Sequence, residues 1–210
     1  MSGWVIPSSG DRRNTLGAPL NYLGHLFLSG HDPLTIVGNF MADEVKGRDF
    51  SRFPAGVQNG IRLHRAIDSF ADEHAVLRAG RARVRAHAGR YAGVVMDLFN
   101  DHLLASQWGR WHTEPLPVFA QRMYALLTEH EELMPQGIRY MFGFMKERDW
   151  LTNYATIEGI GRSLHGLSMR VPKGSVMSGA EVVLAEHIDE YRREFDIFLP
   201  EIIVHTQQYR

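Results

Sequence analysis

Apolar residues recur along this chain at intervals of three and four, the spacing of amphipathic helices, and the alternation typical of β-strands is weak throughout. The pattern predicts helices at 21–29, 33–45, 55–71, 75–88, 91–108, 118–128, 134–149, 154–167 and 178–198. Pro33 suits the first turn of a helix, and Gly47 and Gly89 suit the position after a last turn. We therefore predict an all-α chain, with a single helical domain at 20–210, a flexible leader at 1–19 and a loop at 168–179.

The composition narrows the possible functions. Of the 210 residues, 44% are hydrophobic, which is enough for a core, and the net charge of −1 argues against broad nucleic-acid binding. The chain has none of the runs of roughly 18–20 apolar residues that span a bilayer, and its start lacks the pattern of a secretory signal. We therefore expect a cytoplasmic protein. Because there is no cysteine, any metal ion must be held by His, Asp, Glu, Asn or water.

Two carboxylates on the fifth predicted helix stand out. Asp97 and Asp101 are four residues apart, so they share one helix face, and that face is otherwise apolar. Two carboxylates in apolar surroundings repel each other and lose hydration, and a bound divalent cation relieves both costs. The alternative is that one of them faces solvent or pairs with Arg62 or Arg65.

Three other helices repeat this feature. His64 and Asp68 are four apart on the third helix, Asp43 lies on an apolar face of the second, and Asn21 and His25 share a face of the first. Each could be an ordinary satisfied polar group. Together they predict a ligand cluster inside a helical bundle. A His/Asp set without Cys favours Mn²⁺, Fe²⁺ or Mg²⁺ over structural Zn²⁺.

Four stretches carry a resemblance to a known family. They are Asn21-Tyr-Leu-Gly-His-Leu-Phe-Leu-Ser29, Gly38-Asn-Phe-Met-Ala-Asp43, Gly60-Ile-Arg-Leu-His-Arg-Ala-Ile-Asp68 and Met96-Asp-Leu-Phe-Asn-Asp-His-Leu-Leu104. In order and spacing they resemble the acyl carrier protein phosphodiesterases, and the likeness extends from residue 20 to the C-terminus. The resemblance implies a divergent helical fold of the HD-phosphohydrolase type. The adjacent His-Asp pair of that wider group is absent, since Arg65 follows His64 and Asp101-His102 has the reverse order.

The resemblance implies hydrolysis of a phosphodiester, dependent on Mn²⁺, that releases 4′-phosphopantetheine from holo-acyl carrier protein (holo-ACP). We expect His64, Asp97 and Asp101 as metal ligands, with Asp43 and His25 close by as further candidates. Asp68 is either a further ligand or the partner that orients His64. Arg65 is either a clamp for the phosphate or a surface arginine, and His102 is the candidate to protonate the leaving serine oxygen.

A row of arginines suggests how an acidic carrier protein would dock. Arg78, Arg81 and Arg85 lie at helical spacing on one stripe of the fourth helix. The alternative is an ordinary solvated face. Two rival functions also stay open at this point: an HD-type nucleotide phosphohydrolase, and a non-catalytic helical binding module.

Overall fold

The computed structural model describes residues 22–169 and 174–209, and every regular element in these ranges is helical. The α-helices are α1 (Tyr22–Leu28), α2 (Pro33–Met41), α3 (Ala55–Glu73), α4 (Ala75–Ala88), α5 (Ala92–Ser106), α6 (Leu116–Glu129), α7 (Gln136–Glu147), α8 (Trp150–Asn153), α9 (Ile157–Ser168), α10 (Glu181–Glu186) and α11 (Ile188–Thr206). The predicted all-α fold is confirmed, while kinship with the HD type stays a prediction. Across the described residues, no helix combines the length and apolar content needed to cross a bilayer.

Several predicted boundaries differ from the observed ones. The second helix ends at Met41 and continues as a 3-10 turn, Ala42–Glu44, short of Gly47. The last predicted helix divides at His187 and extends further, to Thr206. The predicted leader lies outside the described residues. Part of the predicted loop at 168–179 is a 3-10 turn, Gly174–Met177.

Helix α5 is the centre of the fold. Nearly all of its residues from Ala92 to Ala105 are buried, and it packs against α1, α4, α9 and α11. This explains its sequence, which is apolar on almost every side. It also means that the polar residues of α5 from Asp97 to His102 are enclosed by protein, so each needs a partner or an ion.

Helices α2 and α3 touch closely because two glycines lie where they cross. A Cβ added at Gly38 would collide with the carbonyl oxygen of Val57, and one at Gly60 would collide with that of Thr35. Both glycines belong to the stretches that carry the family resemblance. Their lack of a side chain lets the two backbones approach, which sets α2 directly against the His64 face of α3.

Candidate metal centre

Imidazoles and a carboxylate converge beside the crossing of α2 and α3. His25 on α1 and His64 on α3 stack with their ring centres 4.2 Å apart and their planes 18° from parallel. Asp68, one turn after His64, places Oδ1 3.4 Å from His25 Nε2 and Oδ2 3.2 Å from His64 Nε2. One donor atom from each of the three residues lies within 4.8 Å of the others, which is close enough to share one ion.

The tautomer of His64 follows from its neighbours. Its Nδ1 lies 2.9 Å from the backbone carbonyl oxygen of Asn39, which can only accept a hydrogen bond, so Nδ1 carries a proton. The other ring nitrogen, Nε2, faces two carboxylates, with Asp43 Oδ1 and Asp68 Oδ2 each at 3.2 Å. A neutral His64 therefore presents its Nε2 lone pair to these acids, as a metal-binding imidazole would.

The side chain of Asn39 fixes His25 in the same way. Its Nδ2 donates to the carbonyl oxygen of His25 at 2.9 Å and to Ser29 Oγ at 2.8 Å, which leaves Oδ1 to accept from His25 Nδ1 at 2.7 Å. His25 Nε2 then points a lone pair at Asp68 Oδ1. Both of these atoms are buried, and neither has a hydrogen-bond partner among the described residues.

The pKa values of His64 and Asp68 are shifted from their ordinary values by burial and by their neighbours. Burial by itself lowers the pKa of His64, but the hydrogen bonds to Asp43 and Asp68 outweigh it and raise the pKa to about 10. Burial by itself raises the pKa of Asp68, but the neighbouring imidazoles of His25 and His64 outweigh it and lower the pKa. Without an ion, a proton on His64 Nε2 thus supplies the positive charge between these acids.

The donor set fits a divalent cation. His25 Nε2 and Asp68 Oδ1 are buried 3.4 Å apart, and neither has a hydrogen-bond partner among the described residues. Buried polar atoms without a partner cost free energy, and a cation bound to both would offset that cost. Imidazole and carboxylate donors suit Mn²⁺, Fe²⁺ or Mg²⁺. Asn39 accepts a hydrogen bond from the Nδ1 atom of each imidazole, from His25 through its side chain and from His64 through its backbone carbonyl oxygen. Metal-binding histidines normally have such a contact on the ring nitrogen that does not bind the metal.

Asp97 lies beside this cluster on α5. It is buried, and its Oδ2 has no hydrogen-bond partner among the described residues. Burial first, and then the negative charges of Asp68, Asp101 and Asp72, raise the pKa of Asp97 well above its ordinary value. The repulsion expected from the sequence is therefore present, and a cation next to Asp68 would relieve it.

Asp101 is placed differently from the sequence prediction. Its Oδ1 accepts from the backbone N–H of Gly24 at 2.8 Å and its Oδ2 from that of Leu23 at 3.1 Å. Burial raises its pKa to about 7 even against these two bonds. Asp101 thus caps the first turn of α1, satisfying N–H groups that the helix itself cannot. It supports the cluster by holding the helix that carries His25.

His102 also turns away from the cluster. Its Nδ1 donates to the backbone carbonyl oxygen of Tyr154 at 2.9 Å, and burial lowers the pKa of its imidazole. Its neighbour Asp101 binds α1 instead, because successive side chains on a helix point in different directions. The assignment of His102 as the proton donor to the leaving group therefore gains no support from its position.

The arginines singled out in the sequence fall into two groups. Arg65 donates to the carbonyl oxygens of Val45 (3.2 Å) and Gly47 (2.7 Å), just after Asp43, so its role at the phosphate stays a prediction. On α4, Arg81 bonds the carbonyl oxygens at the end of α3 and lies 3.8 Å from the carboxylate of Asp72. Arg78 and Arg85 are exposed.

Asn39 is the functional residue that sequence reasoning did not single out. The available signal was an amide on the apolar stripe of α2, four residues before Asp43. The sequence does not indicate the partners of Asn39, because the contact to His64 is made by the backbone carbonyl oxygen of Asn39, a group that every residue has. That contact exists only where α2 and α3 touch at Gly38 and Gly60.

Replacing Asn39 with alanine is expected to weaken Mn²⁺ binding about 10- to 100-fold, the usual cost of losing an outer-shell partner. The side chain no longer orients His25, whereas the backbone contact to His64 remains. Isothermal titration with MnCl₂ measures the change, and Thr35→Val is the control, since Thr35 is a buried polar residue on the same helix that bonds Gly56. Equal losses in both variants would contradict the role given to Asn39.

The fold and the cluster define a helical protein with a buried site suited to a divalent cation. A family model described as acyl carrier protein phosphodiesterase matches residues 20–202, and the chain belongs to that family. The resemblance predicted from the sequence is therefore confirmed.

Named relatives agree with the family match. The acyl carrier protein phosphodiesterases of Serratia proteamaculans (strain 568), Photorhabdus laumondii subsp. laumondii and Klebsiella pneumoniae (strain 342) are each 29% identical to this chain. The alignments cover 88%, 86% and 88% of this chain and 96%, 92% and 96% of those proteins. No solved structure matches the chain.

Proposed function

We propose that this chain hydrolyses the phosphodiester of holo-ACP with the help of a divalent cation, most simply Mn²⁺, and releases 4′-phosphopantetheine. Family membership supports the reaction and the protein substrate. The observation that best supports a bound cation is the approach of His25 Nε2 to Asp68 Oδ1. These two buried atoms lie 3.4 Å apart with no hydrogen bond between them.

His25, His64 and Asp68 would hold the ion, with Asp97 close by. When bound, the ion neutralises charge on the diester and lowers the pKa of a water molecule. The Asp43 side chain is 31% exposed, and its Oδ1, 3.2 Å from His64 Nε2, would accept the proton of the attacking water. The water oxygen forms a bond to phosphorus, the bond from phosphorus to the serine oxygen breaks, and that oxygen takes up a proton.

The direct test is incubation with holo-ACP and Mn²⁺ followed by mass spectrometry of the carrier protein. The expected result is the appearance of apo-ACP, with its mass lower by the phosphopantetheine group. A cyclic nucleotide and a nucleoside monophosphate are run beside it, because they are substrates for the rival class. Turnover of the nucleotides with holo-ACP left intact would contradict the proposal.

Metal affinity is expected to rise with pH. The pKa of His64 in the ion-free protein is about 10, so near pH 7 its Nε2 carries a proton that must leave before the nitrogen can bind an ion. Raising the pH from 6 to 8 makes that proton easier to lose, and the Mn²⁺ association constant should rise by about tenfold per pH unit. Calorimetry in two buffers of different ionisation enthalpy measures the release, and binding without proton release would contradict a protonated Nε2 in the ion-free protein.

The surface next to the site offers a place for the acidic carrier protein. The side chains of Asp43 and Asp68 are 31% and 20% exposed, so the cluster opens on their side. Five basic residues lie on the loop that follows Asp43 and on helix α3, which carries Asp68: Lys46, Arg48, Arg52, Arg62 and Arg65. The guanidinium groups of Arg62 and Arg65 both stack on the ring of Phe50. We call these five residues the basic rim, and its charge complements an acidic partner.

Charge reversal at Arg48 and Arg62 is expected to raise KM for holo-ACP about tenfold, because the rim then repels the carrier protein. Turnover of bis(p-nitrophenyl) phosphate, a small diester, should change little. The matched comparison is reversal of Arg78 and Arg85, the exposed arginines of the predicted stripe on α4. A larger KM effect from the α4 pair would place the docking surface on α4 instead.

A further inference from the structure

A cavity of about 160 Å³ lies between α1, α5, α8 and α9. Its lining does not include the histidines and carboxylates of the candidate metal centre. Its lining combines two aromatic residues, Trp150 and Tyr154, with apolar side chains of α5 and α9. The proposed hydrolysis gives this cavity no role, so its function is considered separately.

The inner part of the cavity suits an apolar group. Leu98 from α5 and Leu167 from α9 line it, and Gly166 faces it, where an added Cβ would meet no heavy atom within 4 Å. A cavity of about 150 Å³ with apolar walls takes up a ring the size of benzene. A cavity of this size, with Leu98 and Leu167 in its wall, therefore accepts an apolar group of about six carbons.

The mouth of the cavity is basic. Arg148 is exposed and has no ion pair among the described residues. Arg162 is fixed at the mouth by Asn153 Oδ1 at 3.0 Å and by Glu158 at 2.6 Å. The Glu158 side chain is 83% exposed, so that ion pair is weak and an incoming anion can replace it.

The backbone between two of the lining residues is strained. Asp149 has φ 44° and ψ 57°, the left-handed region that non-glycine residues rarely occupy. It separates Arg148 from Trp150, and this conformation lets both of those neighbours line the same cavity. Strain of this kind persists where the surrounding structure holds it, and it often marks a binding site.

We propose that this cavity binds a small amphipathic anion. An apolar part of about six carbons lies against Leu98, Leu167 and Gly166, and a carboxylate or phosphate is bound at the mouth by Arg148 and Arg162. Guanidinium groups bind both of these anions through paired hydrogen bonds. The site is separate from the hydrolysis proposed above and does not require the metal ion.

The test is calorimetry or ligand-observed NMR with the full chain and no added metal, which keeps its outcome independent of the hydrolytic activity. Hexanoate and hexyl phosphate are the probes, and their relative affinity shows which head group is preferred. Hexanol lacks the charge and acetate lacks the chain. We expect saturable binding of at least one six-carbon anion, and binding at least tenfold weaker for hexanol and acetate. Absence of saturable binding by both six-carbon anions would overturn the proposal.

Two variants locate the binding. Gly166→Leu fills the inner cavity and should weaken the binding of the six-carbon anion at least tenfold, whereas Gly143→Leu, at an exposed helical glycine with equally open surroundings, should leave it unchanged. Arg148→Gln combined with Arg162→Gln should remove the preference for the anion over hexanol. Unchanged affinity in Gly166→Leu, or an unchanged preference in the double variant, would place the ligand elsewhere and overturn the assignment.

Discussion

Asp68→Asn is expected to abolish metal binding and to reduce turnover of holo-ACP about a thousandfold or more. Asp68 contacts the Nε2 atoms of both His25 and His64, so its loss removes the anionic centre of the cluster. A metal ion contributes several kcal/mol to stabilising a phosphoryl transition state, and about 4 kcal/mol corresponds to a thousandfold in rate. Mn²⁺ titration and the holo-ACP mass assay measure the two effects separately.

The matched control is Asp72→Asn, one turn further along α3. The Asp72 side chain is 68% exposed and lies 3.8 Å from the guanidinium of Arg81. Its replacement should change Mn²⁺ affinity and turnover by less than about threefold, since exposed pairs contribute little. If Asp68→Asn retained full Mn²⁺ affinity, the ion could not lie between the two histidines and Asp68.

Asp101→Leu is expected to destabilise the fold by about 2–4 kcal/mol. The two N–H groups of Leu23 and Gly24 would lose their acceptors inside the protein, and each buried unsatisfied donor costs about 1–3 kcal/mol. Part of that cost is offset because a carboxylate is no longer buried. Urea unfolding followed by circular dichroism measures the loss.

Asp101→Asn provides the comparison, since its single amide oxygen still accepts from one of the two N–H groups. Its loss of stability should be clearly smaller than that of Asp101→Leu. If both variants unfolded at the wild-type urea concentration and yet failed to bind Mn²⁺, Asp101 would be a ligand, as the spacing first suggested, and its capping role would be secondary.

The helices could be predicted from the sequence because their signals are local. Helix α4 was placed at 75–88, where the structure has it, since an apolar stripe and Gly89 define its length. Gly89 has φ 55°, which glycine adopts at no steric cost. The division of the last helix at His187 was missed, because apolar spacing continues through that point in the sequence.

The site could be predicted only in part. Spacing indicates that His64 and Asp68 share a face of one helix and that Asn21 and His25 share a face of another. The structure brings His25, His64 and Asp68 together. Spacing could not separate Asp97, beside the cluster, from Asp101, which caps α1. That difference depends on where α1 begins against α5, and helical spacing in the sequence does not indicate this tertiary contact.

The basic surface illustrates the same limit. Helical spacing singled out Arg78, Arg81 and Arg85, but Arg81 is engaged with the end of α3. The basic rim comes partly from the irregular loop after Asp43, where periodicity carries no information. The charges that surround the site depend on the tertiary structure of this loop. Helical spacing in the sequence does not predict that structure.

The central claim is that one divalent cation lies among His25, His64 and Asp68. The most direct measurement is anomalous diffraction from crystals grown with MnCl₂. We expect a single strong peak within coordination distance of both Nε2 atoms and of Asp68, with Asn39 still bonded to the Nδ1 atoms. Crystals that show these side chains in place and manganese bound elsewhere, or nowhere, would contradict the account.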